Sequence, residues 1–234
     1  MKRKFTLLML VFAFFGYLNA QDCDTIRNLN ATLHSPGWYD VNLSWQAPAT
    51  APIPTILTWG ADVQYDGIGT GSAEDFYVAH RFIPADLTAH DGKTIEQVAF
   101  IPIEEQCTYS IRIWTGGTIA GPDMLIVDQQ LNNNDLTFDA WNTITLSTPV
   151  VINASEELWI GIRCNTTTGY PAACDAGPPV SGKGNMMYFD GAWDILTNIA
   201  ASLTYNWCIQ GIIPAQDGGN GTVVGYKIVR NSKF

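Results

Sequence analysis

The sequence YSIRIWTGG, residues 109–117, has the clearest alternation of apolar and polar positions in the chain. Its first five residues place Tyr109, Ile111 and Ile113 on one face, and the alternation ends at Gly116-Gly117. A two-residue period is that of a β-strand with one buried face, and paired glycines are typical of the turn that follows. The same period returns in LWIGIRC, residues 158–164. The two stretches therefore predict two strands that share one core.

Short runs of the same kind recur along the chain between clusters of turn-forming residues. They predict further strands over 55–59, 76–83, 95–101, 124–129, 142–148, 185–189, 205–212 and 223–229. The helical signal is a single turn over 84–90, where Asp86 can cap. Many short strands at regular spacing favour a sandwich or a barrel. We therefore predict an all-β protein.

The first 20 residues have the pattern of a secretory signal peptide. Basic residues at positions 2–4 precede an apolar run over 5–15, and Ala20 is a small residue at the expected cleavage point. The apolar run is shorter than the roughly 20 residues that a membrane span requires. The formal net charge is −10, and removing three basic residues makes it more negative. We expect a secreted or cell-surface protein without membrane insertion, and no nucleic-acid partner.

Two flanks enclose a central block and carry a resemblance. The sequence VNLSWQAP, residues 41–48, resembles the second strand of a fibronectin type III-like module, and GYKIVRN, residues 225–231, resembles the third. The arrangement is similar to gingipain-type adhesin regions of Bacteroidota, in which a jelly-roll block interrupts such a module. Segments of the block that match such domains are 79–82, 92–94, 109–117, 140–146, 157–161, 169–183 and 205–211.

The resemblance implies a domain plan and a class of function. Residues 1–20 are the signal peptide, 21–54 the first part of the fibronectin-like element, 55–213 a jelly-roll-like β-sandwich, and 214–234 a linker with the returning strand. This is a jelly-roll-like sandwich with an incomplete fibronectin type III-like flank. The implied function is a non-catalytic adhesion or ligand-binding module that recognises a glycan or an extracellular protein. A structural spacer in a larger surface protein is the alternative, and a glycan hydrolase is a weaker one.

Cysteines offer disulfides if the chain is exported. Among the four central cysteines we favour a bridge between Cys164 and Cys174, which would close a threonine-rich loop. Cys107 and Cys208 form the weaker second pair, for which free buried thiols are the alternative. Cys23 would remain unpaired. We further expect the 164–174 loop and residues 177–183 to form one ordered surface feature.

Aromatic side chains are the binding candidates. Trp114 and Trp159 alternate away from the more apolar strand face, Trp193 follows a turn signal, and Tyr170 tips the 164–174 loop. An exposed ring face can stack on the CH groups of a sugar. We therefore expect Tyr170, Trp193 and Trp114 to contact a ligand, unless they cover a second packed face.

Catalytic and metal motifs are weak in this sequence. The spacing of His34, His80 and His90 matches neither a metal site nor a catalytic triad. Acidic residues cluster in the chain at positions 62, 66, 74 and 75 and at 104 and 105, without a fixed separation that would suit glycoside cleavage. We expect no catalytic residue and no cofactor. A structural calcium ion is left open, with no ligands assigned.

Overall fold

A computed structural model describes residues 53–215, together with the backbone of two strands nearer the N-terminus, and the chain divides into two compact units. The two N-terminal strands are β1 (Arg27–Leu33) and β2 (Val41–Gln46), and they pair antiparallel. A strand in the predicted position 41–48 is thereby confirmed. The predicted signal peptide, Cys23 and the predicted strand over 223–229 lie outside the described residues.

The second unit, residues 53–215, is built almost entirely of strands. They are β3 (Thr55–Leu57), β4 (Asp66–Ile68), β5 (Glu74–Phe82), β6 (Thr94–Phe100), β7 (Cys107–Thr115), β8 (Met124–Gln130), β9 (Asn142–Val151), β10 (Leu158–Thr166), β11 (Ala172–Cys174), β12 (Met186–Phe189), β13 (Ala192–Ile195) and β14 (Ile209–Ile213). All of their ladders are antiparallel. The predicted all-β fold is confirmed.

Two main sheets form the sandwich. The larger has six strands in the order β13-β12-β5-β10-β7-β8, and the smaller has four in the order β3-β14-β6-β9. The chain passes from the larger sheet to the smaller between β5 and β6, and back between β6 and β7. The apolar sides of the two sheets are buried against each other. A small third sheet pairs β4 with β11.

The core lies between the two main sheets. Ile111 and Ile113 of β7 and Ile160 of β10 are fully buried there, as the alternation predicts. Ile95 of β6 and Ile209 of β14 close the core from the smaller sheet. Each such side chain stabilises the fold by roughly 1.5–3 kcal/mol through the apolar surface it removes from water.

Helices are short in this unit. One turn of helix, α1 (Pro84–Leu87), is followed by a 3-10 turn over Thr88–His90, and Asp86 accepts a hydrogen bond from the Ile83 amide. The predicted helical turn over 84–90 is thus confirmed. A second turn, α2 (Leu196–Ile199), precedes β14. None of the helices in the described part of the chain has the length and apolar character needed to cross a membrane.

Candidate functional site

The outer face of the six-stranded sheet, which points away from the core, carries the densest group of aromatic and charged side chains. One row of cross-strand neighbours runs over it through Trp193 of β13, Tyr188 of β12, Tyr77 of β5, Arg163 of β10 and Ser110 of β7. The row exists because Tyr188, Tyr77, Arg163 and Ser110 each alternate with core residues on their own strands, while Trp193 joins the row from the edge strand β13. We call this surface the outer face.

Trp193 joins the aromatic rings of the outer face. Its ring centroid lies 5.5 Å from that of Trp114 and 5.2 Å from that of Trp159, both nearly edge to face, and 5.8 Å from that of Tyr188. Trp193 is half-buried, while Trp114 and Trp159 are buried beneath it. Gly121 in the β7–β8 loop approaches the Trp193 ring so closely that a Cβ there would lie 2.8 Å from Cδ1. Two expected site residues, Trp114 and Trp193, are therefore brought together.

The two expected site tryptophans differ in what they can offer a ligand. Trp114 is only 7% exposed, so it follows the alternative given for these rings, in which the ring covers a second packed face. It covers the outside of the sheet, because Trp193 folds over it from the β12–β13 hairpin. Tyr188 and Tyr77 are half-buried and stack on each other with centroids 5.0 Å apart, 18° from parallel. Tyr77, Tyr188 and Trp193 therefore provide the accessible aromatic surface of the outer face.

Two bidentate ion pairs stand beside these rings. Arg163 Nε and Nη2 donate to the Asp75 carboxylate at 2.8 and 2.6 Å. Arg112 Nε and Nη2 donate to the Asp128 carboxylate at 3.2 and 2.8 Å. The hydrogen bonds that Arg163 donates to Asp75 raise the pKa of Arg163 above its ordinary value. Each ion pair thereby fixes the orientation of the guanidinium plane. The N–H groups that do not bond the carboxylate lie beside its oxygens.

Arg112 reaches across a whole strand to contact Tyr77. Its guanidinium carbon lies 4.5 Å from the Tyr77 ring centroid, although β10 separates β7 from β5. The residue of β10 that pairs with Arg112 is Gly161, which has no side chain to stand in the way. The contact combines cation–π attraction with the Asp128 ion pair, so the ring and the charge hold each other in position.

The outer face thus combines flat ring surfaces with paired donors and acceptors and little net charge. A guanidinium and a carboxylate side by side can donate to one hydroxyl and accept from its neighbour, while a ring packs on CH groups. This is the chemistry that a polyhydroxylated, uncharged ligand requires. An acidic ligand fits less well, because both arginines already have carboxylate partners.

Tyr170, the third expected site residue, lies outside the row of the outer face. It is 55% exposed in the connection between β10 and β11, where its backbone packs on Gly67 and Gly69 and its hydroxyl lies near Gly71. The 177–183 segment is held by other neighbours: the Val180 amide donates to Asn206 Oδ1, and Gly177 packs on the carbonyl of Thr204. The expectation of one joint surface feature stays a prediction.

The predicted disulfide between Cys164 and Cys174 is absent from the structure, where both are buried free thiols. Cys164 points into the core beside Cys107. Burial, together with the neighbouring Cys107 thiol, raises the pKa of Cys164. Cys174 instead donates to the Asp66 carbonyl at 3.5 Å, with burial raising its pKa to about 12. Cys107 and Cys208 are free as well, and they lie in separate clusters, so the second predicted pair is also absent.

His80 and Glu104, two of the candidates named from the sequence, are engaged in hydrogen bonds within the fold. Burial lowers the pKa of His80 to about 3, and its ring accepts from the Trp59 amide and bonds the Trp207 carbonyl. The Glu104 carboxylate is bound by Thr166 and Thr168. Within residues 53–215 no group of three or more His, Cys, Asp or Glu side chains is arranged to hold a metal ion.

Sequence reasoning missed the most polar part of the site. The alternation of β5 and β7 placed Tyr77 and Arg112 opposite the core, but it could not show that they touch. That contact depends on strand order, because β10 lies between β5 and β7 in the sheet although it follows both in the sequence. Asp75 entered only as a member of an acidic group, without its arginine partner.

Comparisons of the chain with protein-family models, curated proteins and solved structures found no match.

Proposed function

We propose that residues 53–215 form a non-catalytic binding domain whose outer face recognises a neutral glycan. The observation that carries the proposal is the row from Trp193 to Ser110, in which ring faces adjoin a bidentate Arg163–Asp75 pair. Sugar rings present CH groups on one side and hydroxyls around the rim. The outer face offers matching partners for both.

The sheet provides the stiffness that such recognition needs. Tyr77 and Arg163 sit on neighbouring central strands, and each side chain is held by a second partner, Tyr188 or Asp75. Side chains that are already fixed lose little conformational entropy when a ligand binds. The proposed place of action is outside the cell, on the strength of the signal-peptide pattern in residues 1–20.

A non-catalytic role is supported by the state of the outer-face carboxylates. Glycoside cleavage requires one carboxyl group that donates a proton and a second that acts as base or nucleophile. Asp75 and Asp128 each receive two guanidinium N–H groups instead. Both therefore serve the proposed site as acceptors that orient arginine.

A structural spacer is the second candidate, and one observation favours it. Trp114 and Trp159 are buried under Trp193, so part of the aromatic group packs against itself rather than facing a partner. In a spacer the outer face would have only this packing role.

The test is an array of immobilised neutral and acidic oligosaccharides and extracellular-matrix proteins. The wild-type chain without residues 1–20 is compared with Arg163→Ala and with Tyr65→Ala. Tyr65 is a matched control because it is 62% exposed and packs on Tyr205, which is not part of the outer face. We expect binding to neutral oligosaccharides that Arg163→Ala weakens and Tyr65→Ala retains. Binding to matrix proteins alone, or to nothing, would overturn the glycan proposal.

A further inference from the structure

Three glycines at alternate positions, Gly67, Gly69 and Gly71, leave one side of β4 and its continuation without side chains. Tyr170 lies along this glycine strip. A Cβ on Gly67 would come within 2.6 Å of the Tyr170 carbonyl oxygen, one on Gly69 within 3.0 Å of its Cα, and one on Gly71 within 3.1 Å of its hydroxyl oxygen. The strip therefore leaves room for the whole residue, from backbone to hydroxyl.

The backbone at Tyr170 is fixed from both sides. Its amide donates to Glu104 Oε1, while Glu104 Oε2 accepts from the Thr166 and Thr168 hydroxyls at 3.0 and 2.9 Å. The carbonyl of the next residue, Pro171, accepts from the Tyr109 hydroxyl at 3.1 Å. The ring is thus carried on a rigid support, although its connection has no regular secondary structure.

The hydroxyl end of this ring lies at Gly71, and more than half of the residue is exposed to solvent. Tyr170 is 55% exposed, and no other aromatic ring packs on it in the described part of the chain. Tyr65, which is exposed to a similar degree, has its ring against Tyr205 with centroids 5.6 Å apart. Tyr170 therefore presents an exposed ring on a backbone that packs against the glycine strip.

The glycine strip is close in the chain to the proposed glycan site. Gly71 is followed after four residues by Asp75, the carboxylate partner of Arg163 on the outer face. Four extended residues span at most about 14 Å between their Cα atoms. A ligand of a few sugar units that starts at Arg163 can therefore reach Tyr170.

We propose that Tyr170 is an end subsite of the glycan-binding surface, where its free ring face stacks on one pyranose unit of a neutral oligosaccharide. This inference rests on the proposed function of the outer face. The stacking attraction comes from the negative ring face and the polarised CH groups of the sugar. A neutral sugar is favoured because Asp66 and Glu105, which are exposed, adjoin Gly67 and Glu104, two residues that contact Tyr170, and would repel an acidic sugar.

The test is calorimetric titration with neutral oligosaccharides of two to six units from the gluco-, manno-, xylo- and N-acetylglucosamine series. Wild type is compared with Tyr170→Ala, with Tyr170→Phe, which keeps the ring, and with Tyr65→Ala. We expect wild-type affinity to rise with chain length by at least about fivefold, as one good aromatic contact gives. Tyr170→Ala should lose that rise and still bind the short members as wild type does, while the other two variants keep it.

The outcomes separate the two proposals. If short oligosaccharides bind and length adds nothing, or if Tyr170→Ala keeps the rise, the end subsite is overturned and the outer-face site stands. If wild type binds no member of the panel, both proposals fail. Thermal unfolding of each variant checks the fold. If Tyr170→Ala lowers the Tm strongly, Tyr170→Phe decides the question. A Tyr170→Phe variant that binds at every length but shows no rise of affinity with length would also overturn the subsite.

Discussion

Arg112 on β7 stacks on Tyr77 on β5, with 4.5 Å between the guanidinium carbon and the ring centroid, although another strand runs between them. The intervening residue, Gly161, pairs with Arg112 and places no side chain between the two. Gly161 also matters to the fold, because a Cβ at this position would meet the backbone of β5.

We predict that Gly161→Ala destabilises the domain by about 3 kcal/mol, since an added Cβ would lie 2.3 Å from the Val78 carbonyl oxygen and 2.9 Å from Ala79 Cβ. Gly92→Ala is the matched control. Gly92 has a φ of +71° and open space around it, so only backbone strain of about 1 kcal/mol opposes the change. Urea unfolding of both variants measures the difference, and equal losses would contradict the packing explanation.

Acid should destabilise the domain through His80. Its folded pKa of about 3 lies below the ordinary 6.5, because burial disfavours the charged ring. The unfolded chain therefore takes up a proton below about pH 6.5 while the folded chain does not. His80 thus contributes stability above that pH and loses it as the pH falls towards 3, by about 5 kcal/mol in total.

Unfolding free energies at pH 7, 5.5 and 4 test this assignment. His80→Gln, which keeps polar atoms near the Trp59 amide and the Trp207 carbonyl, should be less stable at pH 7 but lose less on acidification. Parallel losses in wild type and variant would show that other groups control the acid response.

The four cysteines of the second unit should behave as buried thiols. Burial raises the pKa of Cys174 and of Cys208 to about 12, so little thiolate is present at neutral pH. We predict slow alkylation of the native protein and rapid labelling of Cys107, Cys164, Cys174 and Cys208 in denaturant without reductant. Peptide mass spectrometry would contradict this by finding a peptide pair joined through any two of them.

The sequence predicts the fold well because alternation is a local property. Tyr109, Ile111 and Ile113 face the core as their spacing requires, and the turn over 84–90 forms where Asp86 can cap it. The loop cysteines show the limit of that reasoning. Cys164 and Cys174 are close in the chain, but strand alternation directs Cys164 towards Cys107, and β11 pairs with β4.

The candidate site was only partly predictable for a related reason. Periodicity identified Trp114 as an outward-facing ring, yet its burial depends on Trp193, which a hairpin brings over it. The pairing of Arg163 with Asp75 depends on strand register across 88 positions of sequence. Such contacts follow from sheet topology, which no local pattern encodes.

The most direct test of the central claim maps a bound neutral oligosaccharide onto the sheet by amide chemical shifts. The ligand is the best-binding member of the array. The account predicts that the largest changes at saturation fall on the outer-face strands, at and beside Tyr77, Arg163, Ser110 and Tyr188. Changes confined to the four-stranded sheet, or no changes at saturating concentrations of any neutral oligosaccharide, would contradict it.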